Sequence, residues 1–175
     1  MHDVAPAVAK RNPAIRYRVA PARVARASGK FERSGLVRRS DPFIPSLERL
    51  KEELRLITGK AKVPAVHRFA ALAILCEATS NWWRHNPAGD LVYILSARPN
   101  VIEQVYRYQS DPFDVHPAPR DAMDTETLTE GGYGITVMRG LCNLDPATDE
   151  VPFDSPDVNF AFSNGWVTVR LIRRW

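Results

Sequence analysis

One apolar run decides how this chain can fold. From Val66 the sequence passes through Phe69, Ala70, Ala71, Leu72, Ala73, Ile74 and Leu75 to Cys76-Glu77-Ala78-Thr79-Ser80-Asn81-Trp82-Trp83-Arg84-His85. The run is apolar on nearly every face, which predicts a helix buried within a domain. Glu77, Asn81 and His85 close it at spacings of four. Each step of four turns a side chain only about 40° further round a helix, so the three polar groups form one line. A carboxylate, an amide and an imidazole emerging from a buried helix need partners. A bound metal with phosphates would supply them, because hard cations take oxygen ligands such as Glu and Asn.

A second stretch adds to this. Glu130-Gly131-Gly132-Tyr133-Gly134-Ile135 runs into Thr136-Val137-Met138-Arg139-Gly140-Leu141-Cys142, where Ile135, Met138 and Leu141 recur at helical spacing. Glycines that open a helix let backbone N–H groups and the positive helix end approach an anion. Alone this is a weak motif, and its place some 50 residues after the polar line strengthens it.

On these residues the chain resembles the Bergerat-type (HATPase-like) ATPase fold of gyrase and the histidine kinases. It is most similar to the small bacterial branch of anti-sigma-factor serine kinases. Ala71 to His85 looks like their N-box helix, Gly132 to Ile135 like their second glycine box, and Gly165 to Leu171 like their final strand. The likeness spans about Pro42 to Arg174. It implies a two-layer α/β sandwich, with a mixed, mostly antiparallel sheet covered by helices on one face, and ATP and magnesium as cofactors. It also implies roles: Glu77 as the general base, Asn81 as the magnesium ligand, and His85, Asp111, Gly132, Gly134, Ile135 and Thr168 around the nucleotide. Without the resemblance, Glu77 reads as a carboxylate paired with Arg84 or Lys62, and His85 as a partner for the helix dipole. The chain departs from the family where an Asp-x-Gly should read the adenine: those positions fall on Tyr108 and Ser110, with Asp111 the nearest carboxylate.

Charge divides the chain. Residues 1–40 hold ten Lys or Arg against Asp3 and Glu32, a net +8, while the remainder holds fourteen basic and eighteen acidic residues, a net −4. The first 35 residues therefore read as a basic, disordered arm, either a solvated tail or a contact for nucleic acid or an acidic partner, and 36–175 as the domain. Cys76 and Cys142 sit in apolar helical settings and read as reduced thiols in a cytoplasmic protein. No apolar run reaches the length of a membrane span, and no signal-peptide core is present.

The expected elements follow in order. A weak strand lies within Lys30 to Ser40. An amphipathic helix opens at Pro45-Ser46, with Ser46 as N-cap, and ends at Gly59. After Pro64 the apolar helix runs to about His85. Strands follow at Leu91 to Ala97 and Val101 to Tyr108, turning at Arg98-Pro99-Asn100. Asp111 to Thr129 is a lid-like loop. The glycine-opened helix comes next, then a hairpin of Val158 to Phe162 and Val167 to Ile172.

Three functions fit this reading. The first is an ATP-dependent serine kinase that binds a sigma factor and phosphorylates a small antagonist protein, as a homodimer. The second is a partner-switching module on the same fold that does not turn over ATP. The third is a nucleic-acid-binding protein acting through its arm, although no base-reading module is visible.

Overall fold

The computed structural model describes residues 29–86, 88–111, 133–143 and 157–175. Strand β1 (Phe31–Val37) leads into helices α1 (Phe43–Lys60) and α2 (Ala65–His85). Strands β2 (Leu91–Arg98) and β3 (Val101–Gln109) form a hairpin, α3 (Tyr133–Asn143) follows, and β4 (Val158–Ser163) and β5 (Trp166–Arg174) form a second hairpin. The five strands make one antiparallel sheet in the order β1-β2-β3-β5-β4. With the helices on one face, this is the expected two-layer α/β sandwich. Among the described residues no helix is long and apolar enough to cross a membrane.

Pleat alternation assigns the sheet faces. Tyr93, Leu95, Tyr106, Tyr108, Val167, Val169 and Leu171 are buried in one core with Leu50, Leu54, Ile74, Leu75 and Trp82 of the helices. Their neighbours in sequence, such as Ile94, Val105, Arg107, Thr168 and Arg170, turn to the opposite face. Both tight turns use residues that tolerate a left-handed backbone: Asn100 (φ 63°) after Pro99, and Asn164-Gly165 (φ 52° and 74°).

Several boundaries differ from expectation. β1 begins at Phe31, so residues 31–35 belong to the domain and not to the arm; residues 1–28 lie outside the described residues. Helix α1 starts at Phe43 behind Pro42, whose φ of −59° already suits a helix, and Ser46 is buried one turn inside instead of capping. Pro45 fits there because first-turn N–H groups have no intrahelical acceptor. Gly59 does not end α1. Lys62 takes the left-handed position (φ 55°), Lys62 N–H bonds Gly59 O and Val63 N–H bonds Thr58 O, which together form a Schellman stop.

Helix α2 is also less enclosed than its composition predicts. Ala70, Ala71, Ile74, Leu75, Ala78, Thr79 and Trp82 are buried, whereas Val66 and Phe69 are 63% and 74% exposed. The helices form an outer layer, so only the stripe facing the sheet and its neighbours is covered.

Polar contacts fix α2 over β3. Buried Gln104 donates from Nε2 to the carbonyl of Ala71 (2.8 Å) and accepts the hydroxyl of buried Tyr106 (2.5 Å). Gln104→Met should cost about 1–3 kcal/mol, because it keeps the volume but strands the Tyr106 hydroxyl. Adding Tyr106→Phe should recover part of that loss. A denaturant series on the two single variants and the double variant measures the coupling, and additive losses would show that the pair acts independently.

Candidate functional site between α2 and α3

The helices lie side by side. α1 packs on β1 and β2, α2 on β3, and α3 on β5 and β4. α1 meets α2 on the flank carrying Trp83, whose ring stacks on Phe43 at 5.0 Å. Glu77 and Asn81 lie round the helix from Trp83, at the margin of the buried stripe next to Ile74 and Ala78. That flank faces the α3 side. The C-terminal end of α3 is held beside the start of α2, because Arg173 bonds both Leu141 O and His67 Nδ1. Helix α3 also packs against α2.

The second anchor lies at the other end of α2. Buried Asn86 donates from Nδ2 to Gln109 O and accepts Gly89 N–H at Oδ1 (3.0 Å). Trp82 Nε1–H bonds Gly89 O (3.0 Å). A side chain on Gly89 would fall 2.8 Å from Asn86 Nδ2, so glycine is needed for this closure. The end of α2 is thereby tied to the end of β3. Ser110 N–H in turn bonds Gly165 O (3.1 Å), which ties that end of β3 to the β4–β5 turn.

Of the expected site residues, Glu77, Asn81 and His85 lie in the second half of α2, Asp111 just beyond β3, and Gly134 and Ile135 in the first turn of α3. Glu77 and Asn81 are half-buried, and neither makes a hydrogen bond or ion pair with a described residue. The alternative pairing of Glu77 with Arg84 or Lys62 is not formed. His85 is exposed in the last turn of α2 beside Arg84, where a basic side chain suits the helix dipole. Asp111 is exposed two residues beyond β3. Gly134 is the second residue of α3, within the turn whose N–H groups have no helical acceptor. Ile135 is half-buried and packs on the core, so only its backbone remains for a ligand. Gly132 and the loop 112–129 lie outside the described residues.

Thr168 does not join them. It pairs with Arg107 and Ala161 on the sheet face away from the helices, while Val167 and Val169 face the core. A strand reverses its side chains at every residue, so matching the strand by sequence left the face open to a one-residue error.

Tyr108 occupies the place expected for the adenine-reading acid. It is 6% exposed within the core and pairs with Val167, and burial pushes its phenol up to about 12. The ring stays neutral at physiological pH. Asn86 is a structural tie beside these residues that sequence reading missed; its only signal was an Asn directly after the helix. Among the described residues no group of three or more His, Cys, Asp or Glu side chains could hold a metal, so an ion here would depend on Asn81 with a ligand's own oxygens. Cys76 and Cys142 are both free, and burial raises both thiols.

Neither family models nor curated sequences match the chain.

Asn86→Ala should lower stability by about 1–3 kcal/mol, since it strands Gln109 O and Gly89 N–H. Amide exchange should rise at residues 88–91 and 108–111 before it rises in β1. An unchanged melting temperature would show that Asn86 does not hold the site together.

Proposed function

We propose that the groove between the second half of α2 and the opening turn of α3 binds the phosphates of a nucleotide with magnesium. On this reading the chain is an ATP-dependent regulatory protein of the anti-sigma-factor serine kinase type. The observation that carries it is the pair Glu77 and Asn81: half-buried, without described partners, and on the flank of α2 that faces the α3 side. The Asn81 amide oxygen would hold the magnesium, whose charge would offset that of the phosphates. The first N–H groups of α3 would face the same anion. Glu77 would take the proton from an attacking serine hydroxyl of an antagonist protein. The two-layer α/β sandwich, with helices on one sheet face, is the fold that the Bergerat resemblance implies. A sigma factor or its antagonist as partner, a homodimeric state and cytoplasmic residence belong to the same proposal.

Tyr108 favours a second reading, in which the same fold switches partners without turning over ATP. A neutral phenol facing a core valine cannot replace a carboxylate that accepts the adenine amino group. A missing charged hydrogen bond weakens binding by roughly 1.5–3 kcal/mol, or about tenfold to a hundredfold. Nucleic-acid binding through the basic arm is the third reading, and most of that arm, residues 1–28, lies outside the described residues.

Calorimetric titration with ATP and magnesium separates the first two readings. Asn81→Ala should abolish magnesium-dependent binding and leave the melting temperature within about 1 °C, since no described contact is lost. Thr168→Val, on the opposite sheet face, should leave binding unchanged. Equal affinity in wild type and Asn81→Ala would remove Asn81 from the site.

Glu77→Gln tests the chemistry. Phosphoryl transfer to a cognate protein should fall by about 10² or more, with nucleotide affinity within a few fold. Parallel loss of binding and transfer would make Glu77 structural.

A further inference from the structure

Arg173 is a charged residue near the end of β5, an inner strand of the sheet, yet it is 5% exposed and has no carboxylate partner among the described residues. Its Nε–H donates to His67 Nδ1 at 2.9 Å, and a terminal N–H donates to Leu141 O. The imidazole lies flat on Trp175, with centroids 4.8 Å apart and planes at 17°. Three elements therefore meet at two polar contacts: the start of α2, the end of α3 and the end of β5. The negative end of the α3 dipole balances part of the Arg173 charge. Because Nδ1 accepts, the imidazole must be neutral with its proton on Nε2.

We propose that His67, Arg173 and the Leu141 carbonyl form an acid-sensitive latch, which holds the end of α3 against the start of α2 and loosens when the imidazole takes a proton. Protonation at Nδ1 removes the acceptor and sets a second cation against a buried guanidinium. Among the described residues, none of the neighbouring groups supplies a negative charge to the imidazole. α2 contributes exposed Arg68, and α3 contributes Arg139 and the Cys142 thiol, which burial pushes up to about 12 and so keeps neutral. On β5, Arg174 turns to the opposite face and pairs with Asp157. Among the described residues no Asp or Glu faces the imidazole. Burial first, and then the Arg173 charge, lower the His67 pKa from its ordinary 6.5. The sign follows from proton counting. Between the folded value and 6.5 the unfolded chain holds more protons, so stability rises with pH there. The latch is fully closed above about pH 6.5 and is lost as pH falls through the folded value.

This inference does not depend on nucleotide binding. Its test is an NMR titration of the His67 ring in the full chain, together with amide-exchange protection across Ile135–Cys142 corrected for intrinsic chemistry. The ring should titrate below 6.5, and α3 protection should fall several-fold from about pH 7.5 to about pH 5, ahead of β2 and β3. His67→Asn keeps an acceptor near Nδ1 but cannot titrate, so it should retain protection at the higher pH and lose the acid response. Should that variant fail to fold, Arg173→Gln, which removes the cation, should move the His67 titration up toward 6.5. A wild-type ring titrating at or above 6.5, an acid response that persists in His67→Asn, or no shift in Arg173→Gln would each overturn the latch.

Discussion

Helix α2 is held over β3 at two points, and the rest of the molecule depends on that register. Gln104 grips the carbonyl of Ala71, and Asn86 grips the carbonyl of Gln109. Fifteen residues of helix rise about 22 Å, and five of strand about 17 Å, so the helix runs in the same direction as the strand. Shifting the helix by one turn would strand a buried amide at each end, at a cost comparable to a large share of ordinary domain stability. Apolar packing opposes the same slip, because Ile74, Leu75 and Trp82 are buried among the small Ala70, Ala71 and Ala78. The polar pins reinforce the register that these larger side chains set.

The pinned register decides which flank of α2 carries Glu77 and Asn81. Trp83 is committed to Phe43, and Arg39 lies over the same indole at 3.5 Å, so the α1 flank is closed by aromatic and cationic contacts. The α3 flank is left with Glu77 and Asn81 and no described partner for either. This asymmetry comes from tertiary packing. Spacing alone puts the two side chains on one line without saying which neighbour the line faces.

What the sequence made legible follows the range of the forces involved. Strands β2 to β5 and their turns were readable because Pro99-Asn100 and Asn164-Gly165 act locally on their own backbones. The line of Glu77, Asn81 and His85 was readable for the same reason, since helical spacing is local geometry. The ends of α1 were misplaced because two local signals competed. Ser46 is a better cap than Pro42 by type, yet Leu47 and Leu50 must reach the core, and burial set the start one turn earlier. Lys62 rather than Gly59 ends the helix because Val63 is drawn into the core immediately afterwards. The pins and the Arg173 cluster were invisible, since Gln104 contacts Ala71 across 33 positions and Arg173 contacts His67 across 106. The face of Thr168 was lost to the two-residue period of a strand, where an error of one inverts the result.

Tyr108 joins the fold to the question of function. It stands on the same face of β3 as Gln104 and Tyr106, so the strand presents an amide and two phenols in succession toward the helices. Each ring fills volume that a carboxylate in the same register would leave to a ligand or to water. A strand end built for an adenine base keeps that volume open at the expense of core packing. Here the volume is filled by the protein, and Val167 on β5 completes the apolar wall. The polar flank of α2 a few residues away has not been filled in the same manner. Packing thus closes the end of β3 with Tyr108 and Val167, whereas Glu77 and Asn81 on α2 are left without a described partner. On the proposed reading the division runs between strand and helix: the β3 end is filled by Tyr108, while Glu77 and Asn81 keep no described partner.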